Sequence, residues 1–247
     1  MRRYFLEIAF KGTRFCGWQR QPHDASVQQE VERAITTILR TETTCMGCGR
    51  TDTGVHANQF FLHFDTQQEL DAHQFVYRLN GVLHEDVAVK RCIPVSQEAH
   101  ARYDATNRTY RYFVHNSKNP FLRETSLFML RTPDFDAMNE AAKLMTGSHD
   151  FTSFARLHSD VKNHMCEVRS ARWEQCGESQ WYFEISANRF LRNMVRAVVG
   201  TLLKTGRGKE PLGHIETVMQ GKNRGLAGAS APAHGLFLHS VQYPYIT

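Results

Sequence analysis

Asp52 is the one carboxylate in Gly49-Arg50-Thr51-Asp52-Thr53-Gly54-Val55-His56-Ala57, with a threonine on either side, a glycine three residues before it and another two after. Glycine lets a backbone take positive φ and come close to a ligand. The stretch therefore reads either as an Asp-Thr-Gly turn between strands or as a mount for a single reactive carboxylate, a group able to act as nucleophile or as base. Two other stretches carry groups of matching chemistry. Arg189, Arg192 and Arg196 recur at three- and four-residue spacing, which on a helix makes one stripe. Arg196 lies between Val195 and Ala197-Val198, so the base of its side chain is expected to be part-buried, and a buried guanidinium calls for a carboxylate or phosphate. For Arg189 and Arg192 a solvated face with snorkelling stems is the alternative. The third stretch, Arg108-Thr109-Tyr110-Arg111-Tyr112-Phe113-Val114, alternates so that Arg108, Tyr110, Tyr112 and Val114 share one face of a strand.

The elements that position these groups follow from periodicity. Tyr4 to Phe10 alternates as a strand. Ser26 is an N-cap with Gln29 as its capping-box partner, and Val27 to Leu39 is an amphipathic helix. After a short segment from Thr43 to Met46 comes the Asp52 loop, then a strand from Gln59 to Phe64. A helix over Leu70–Leu83 and a strand over Asp86–Ile93 complete the first half. In the second half Asp134 caps a helix that Gly147 can end, and His149 to Phe154 is a loop. Strands at Cys166–Trp173 and Trp181–Ala187 form a hairpin around Gly177. Helices follow at Phe190–Leu203 and Leu212–Met219, then a glycine/alanine loop from Lys222 to Gly235 and a last strand at Leu236–Val241. Strands and helices mixed in this order, with hairpins, predict an α+β fold. A soft boundary near residue 105 divides it into halves 1–105 and 106–247, expected to share one sheet.

Composition narrows the class. The chain has 247 residues, 41% hydrophobic and 22% charged, which suits a soluble globular protein with an ample core. No 18-residue apolar run suggests a membrane span, and Glu7 and Lys11 interrupt any apolar region of signal-peptide length, so a cytoplasmic location is the expectation. The six cysteines read as reduced thiols. A net charge of +5 permits a polyanionic partner without demanding one. Only Cys45 and Cys48 are closely spaced, and a zinc site would want a second pair nearby. A zinc-dependent nucleoside deaminase needs His-x-Glu and Pro-Cys-x-x-Cys; Thr44 precedes Cys45, and the motif is missing. No metal is expected.

The Gly49–Ala57 stretch resembles the signature of the TruA-type tRNA pseudouridine synthases, which modify positions 38 to 40 of the anticodon arm. The resemblance runs almost end to end: Gly17-Trp18-Gln19-Arg20-Gln21 with Ser26-Val27-Gln28, Arg108-Thr109-Tyr110-Arg111-Tyr112, His149-Asp150-Phe151-Thr152-Ser153-Phe154, Phe190-Leu191-Arg192-Asn193-Met194-Val195-Arg196 with Gly200, and Ala231-Pro232 with Gly235-Leu236. Arg192-Asn193 departs from the histidines of some members. The resemblance implies a pseudouridine synthase fold with a mostly antiparallel sheet, two related halves around a cleft, and a homodimer binding tRNA. It implies Asp52 as catalytic carboxylate, Tyr110 against the target uracil and Arg196 as the partner of Asp52. The reaction exchanges an N1–C1′ bond for C5–C1′ without redox change, so no cofactor is needed. Asp52 could attack C6 or C1′, or take a proton from C2′. A base stacked in a helical arm must be flipped out, which makes Arg20, Arg50, Arg102, Arg108, Arg189 and Arg192 candidates for phosphate contact and Trp18 or Phe154 for packing near the site. His56 is expected to brace the loop. The competing reading is a tRNA-binding module without chemistry.

Overall fold

The computed structural model describes residues 1–156 and 163–246, and no helix among them is long and apolar enough to cross a membrane. The chain forms two compact units, Met1–Thr106 with Leu238–Thr247, and Asn107–Phe237. Both mix helices with strands, and the pairings given below are antiparallel except where stated.

In the first unit, β1 (Arg2–Phe10) runs between β3 (His56–Thr66) and β4 (Val87–Val95), with the short β2 (Cys45–Gly47) on the outer side of β3. Flanked on both sides and covered on both faces, β1 buries Tyr4, Phe5, Leu6, Glu7 and Ile8 in succession. The α1 helix (Val27–Leu39) starts as its residues dictate: Ser26 Oγ accepts the Gln29 N–H, and Val27, Val31, Ala34, Ile35 and Leu39 turn inward. Glu32 on α1 is buried, and its carboxylate accepts the Cys45 N–H at 3.0 Å and the Gln28 side-chain amide at 3.0 Å. That bond ties β2 to the helix. The α2 helix (Ala72–Val82) is capped by Asp71 and so begins two residues later than Leu70.

In the second unit, β5 (Asn107–His115) pairs with β9 (Gln180–Ala187) and, in parallel, with the two-residue β6 (Leu127–Phe128). β8 (Met165–Gly177) forms the expected hairpin with β9, and β7 (Gly147–Asp150) lies on its far side. Asp134 caps α3 (Phe135–Lys143), but Gly147 does not end it. The helix closes at Leu144 in right-handed geometry, and Gly147, at φ +105°, opens β7 instead. The segment expected to be a loop over His149–Phe154 is therefore the end of β7 followed by a 3-10 turn, Thr152–Phe154.

The largest revision concerns α4, which runs over Met194–Gly206 and not from Phe190. Asn193 stands at φ 67°, in left-handed geometry, so residues 190–193 approach the helix without joining it. Of the residues expected to face inward, Met194, Val195, Val198, Val199 and Leu202 are buried, whereas Phe190, ahead of the helix, is only half-buried. The α5 helix (His214–Gly221) follows, and β10 (Leu236–Gln242) carries the chain back to the first unit, where the Val241 N–H donates to Gln59 of β3.

Candidate active site

Asp52 sits on a four-residue turn closed by the Val55 N–H donating to the Asp52 carbonyl at 3.1 Å. Gly54, third in the turn, takes φ +77°, as a type II turn requires. Gly49 has ordinary φ and no atom within contact of its Cβ position, so of the two bounding glycines only Gly54 shapes the turn. The turn leads straight into β3, which begins at His56 and is longer than its periodicity suggested.

What holds the turn is a second segment of backbone. The Trp18 N–H donates to the Thr51 carbonyl and the Gly54 N–H to the Phe15 carbonyl, each at 3.4 Å, so residues 15–18 are sewn to both ends of the loop. Gly17, at φ +82°, lies so close that a Cβ there would overlap the Thr51 carbonyl oxygen. Trp18 is buried against Phe60, ring centroids 4.2 Å apart. The Gly12 N–H donates to Nδ1 of fully buried His56 at 3.0 Å, which sets the neutral tautomer with its proton on Nε2. His56 thus braces the loop. Gly17→Ala is expected to strain both the backbone and this contact, displacing the loop and lowering turnover by ~10–100-fold. Steady-state kinetics with a thermal melt would check it, and a wild-type rate would show that the clamp is dispensable.

In the second unit Arg196 lies half-buried on the first turn of α4, its Nε donating to the Ala231 carbonyl at 2.7 Å while the Ala231 N–H returns to the Arg196 carbonyl at 2.9 Å. The loop that supplies Ala231 packs onto α4 where Gly200 has no side chain; a Cβ there would overlap Ala229 O. Ser230 Oγ accepts from both Asn193 and Arg224, which pins the same loop. Pro232 O accepts from the Tyr112 hydroxyl at 2.9 Å, and burial raises that phenol well above its usual range while the Arg196 charge opposes the rise. Ala231 thus orients Arg196 from outside its own helix. Tyr110 is half-buried on β5, opposite Ile185, with the edge of Phe190 against it at 4.9 Å and 81°.

The remaining candidates divide. Arg50 and Arg192 are exposed, and Arg20 is exposed with a 3.5 Å approach to Glu32. Arg108 donates to Asn188 O at 3.1 Å, and Arg102 lies over the Tyr103 ring. Arg189, Arg192 and Arg196 do not form one helix stripe, because only Arg196 is on α4. Phe154 is fully buried beside Phe151 and Trp18 is buried too, so both are core residues. Cys45 is a poor metal ligand, since burial and the Glu32 carboxylate push its thiol far up and hold it protonated.

The α+β chain that carries this doubly clamped turn has close relatives in sequence. Residues 141–244 match the family model described as tRNA pseudouridine synthase. Along its whole length the chain is similar to the tRNA pseudouridine synthase A of Parabacteroides distasonis, with 47% identity over 99% of this chain and 97% of that one. The corresponding enzyme of Porphyromonas gingivalis is 46% identical, covering 99% and 98%, and that of Bacteroides fragilis 45%, covering 99% and 97%. The chain belongs to the tRNA pseudouridine synthase A family.

Proposed function

We infer that this protein is an isomerase that converts uridine to pseudouridine in tRNA, at positions 38, 39 or 40 of the anticodon arm. The observation that carries the reading is near-complete coverage at 45–47% identity by relatives named tRNA pseudouridine synthase A. In the reaction the N1–C1′ bond breaks, the uracil turns, a C5–C1′ bond forms, and the C5 proton leaves while N1 gains one. Atoms balance without an outside reagent. Asp52 is the reacting carboxylate, and its mounting supports the role: main-chain bonds hold the turn and so fix the backbone that carries the side chain. Whether it attacks C6 or C1′ or takes a proton at C2′ is not part of the proposal.

Tyr110 is the aromatic for the uracil, supported by its half-buried ring held edge-on by Phe190. Arg196 is the guanidinium serving the carboxylate, supported by its fixed orientation on Ala231. In a desolvated pocket a neighbouring guanidinium favours the charged form of a carboxylate. The exposed arginines Arg20, Arg50 and Arg192, with Arg102, Arg108 and Arg189, contact phosphates, and the active species is a cytoplasmic homodimer. The purified protein, given unmodified tRNA and a metal chelator with no cofactor, is expected to form pseudouridine at positions 38–40. Reverse-transcription mapping after carbodiimide labelling reads the product. Failure to modify any anticodon-arm uridine would refute the reading.

A further inference from the structure

Outside the proposed site, the first unit carries an aromatic stack that rises from its core to its surface. His63 on β3 is buried, and burial, with the Arg3 and His100 charges, pushes its imidazole down to about 4. Its Nδ1 accepts the Ala101 N–H at 3.1 Å, so the ring is neutral. The His100 ring meets it edge-on at 4.7 Å, and the Tyr103 ring tilts onto His100 at 4.3 Å and 34°. Despite that contact Tyr103 is 74% exposed. The guanidinium of Arg102 lies 5.7 Å from the Tyr103 ring centroid.

The turn that presents Tyr103 is rigid. His100 Nδ1 accepts both the Arg102 N–H at 3.1 Å and the Tyr103 N–H at 3.3 Å. Asp104 Oδ2 accepts the His100 N–H and the Tyr245 hydroxyl, each at 2.7 Å, and the Tyr243 hydroxyl donates to Ala101 O. Tyr243 and Tyr245, just past β10, thereby fix the turn from a second direction. An exposed aromatic held in place by this many bonds has its ordering cost met before any ligand arrives.

We propose that Tyr103, backed by His100 and flanked by Arg102, is a stacking platform for an unpaired base of the tRNA substrate. The surroundings favour a nucleotide over a protein face: the chain neighbours Arg102, Asp104 and Thr106 are polar, and the nearby exposed Tyr245 turns its hydroxyl to Asp104. A π-face next to a guanidinium is the pairing that single-stranded nucleic acid recognition uses, the ring for the base and the cation for the phosphate. The excess of positive charge, +5 over the chain, suits the same partner. The platform rests on the reading of the protein as a tRNA enzyme, and extends it to a contact outside the reacting residues.

The test is equilibrium binding of a full-length tRNA transcript across a range of salt. Tyr103→Ala is expected to raise Kd about tenfold with an unchanged salt slope, and Tyr103→Phe to restore most of the affinity, because stacking needs the ring and not the hydroxyl. Arg102→Ala is expected to weaken binding and to flatten the slope of log K against log salt by about one. The ring is exposed, so its truncation is expected to leave the fold intact, and a thermal melt of each variant verifies that. Binding by Tyr103→Ala within twofold of wild type overturns the platform alone. A change in oligomeric mass on the same substitution also overturns it, assigning the ring to a second copy of the chain. No tRNA binding by the wild-type protein would overturn both the platform and the proposed function.

Discussion

Asp52→Asn is expected to abolish pseudouridine formation, by a factor on the order of 10⁴ or more, while tRNA binding stays within about threefold of wild type. The expectation follows from how the turn is built. Its closing bond uses the Asp52 carbonyl, and its flanks are held by the Thr51 carbonyl and the Gly54 N–H, so these main-chain bonds do not involve the carboxylate. Asparagine has the same shape and is at home in turns. The substitution therefore removes the reactive oxygen anion and leaves its mount. Single-turnover assays with saturating enzyme, alongside filter binding of the same tRNA, separate the two effects. Activity surviving in the variant would remove Asp52 from the chemistry and turn attention to another carboxylate; lost binding would make the residue a recognition element.

Much of this mount was legible in the residues, and what was not has a physical cause. α1 was readable to the residue, because Ser26, Gln29 and the apolar spacing from Val27 to Leu39 all state the same boundary. The Phe190–Leu203 reading failed at its start because Phe190, Met194 and Val198 keep helical spacing straight through Asn193. Only the left-handed φ of Asn193 breaks the helix, and no periodicity reports a dihedral angle. β2 and β6 were too short to alternate, and they exist through partners: Glu32 and β3 for β2, β5 for β6. Gly147 carried the right signal at the wrong element, since positive φ serves the start of a strand as well as the end of a helix.

The same distinction governs the site. Asp52, Tyr110 and Arg196 are visible as residue types in a motif. Gly17 and Ala231 act through backbone atoms, Gly17 against Thr51 and Ala231 against Arg196, and each meets its partner from more than thirty positions away in the chain. The motifs containing Gly17 and Ala231-Pro232 stood out in the sequence without a stated purpose, and their purpose is to hold other residues still.

Arg196→Ala is expected to lower turnover by ~10²–10³-fold, the scale of losing one preorganised electrostatic contact, while costing the fold little. Its hydrogen bond to Ala231 O is worth ~1 kcal/mol, or ~2–4 °C in Tm for a chain of this size. Arg196→Lys is expected to recover only a small part of the rate, because an ammonium cannot keep the Nε bond to Ala231 and still present a planar fork. The decisive measurement is the double variant. If Arg196 acts through the carboxylate, adding Arg196→Ala to Asp52→Asn costs nothing further, because the group it serves has already lost its charge. If the two losses multiply, Arg196 contributes by another route, such as contact with RNA phosphate, and the pairing is wrong. Loss of folding in the single variant, seen as a Tm drop well beyond a few degrees, would instead assign Arg196 to the packing of α4 against the Gly228–Pro232 loop.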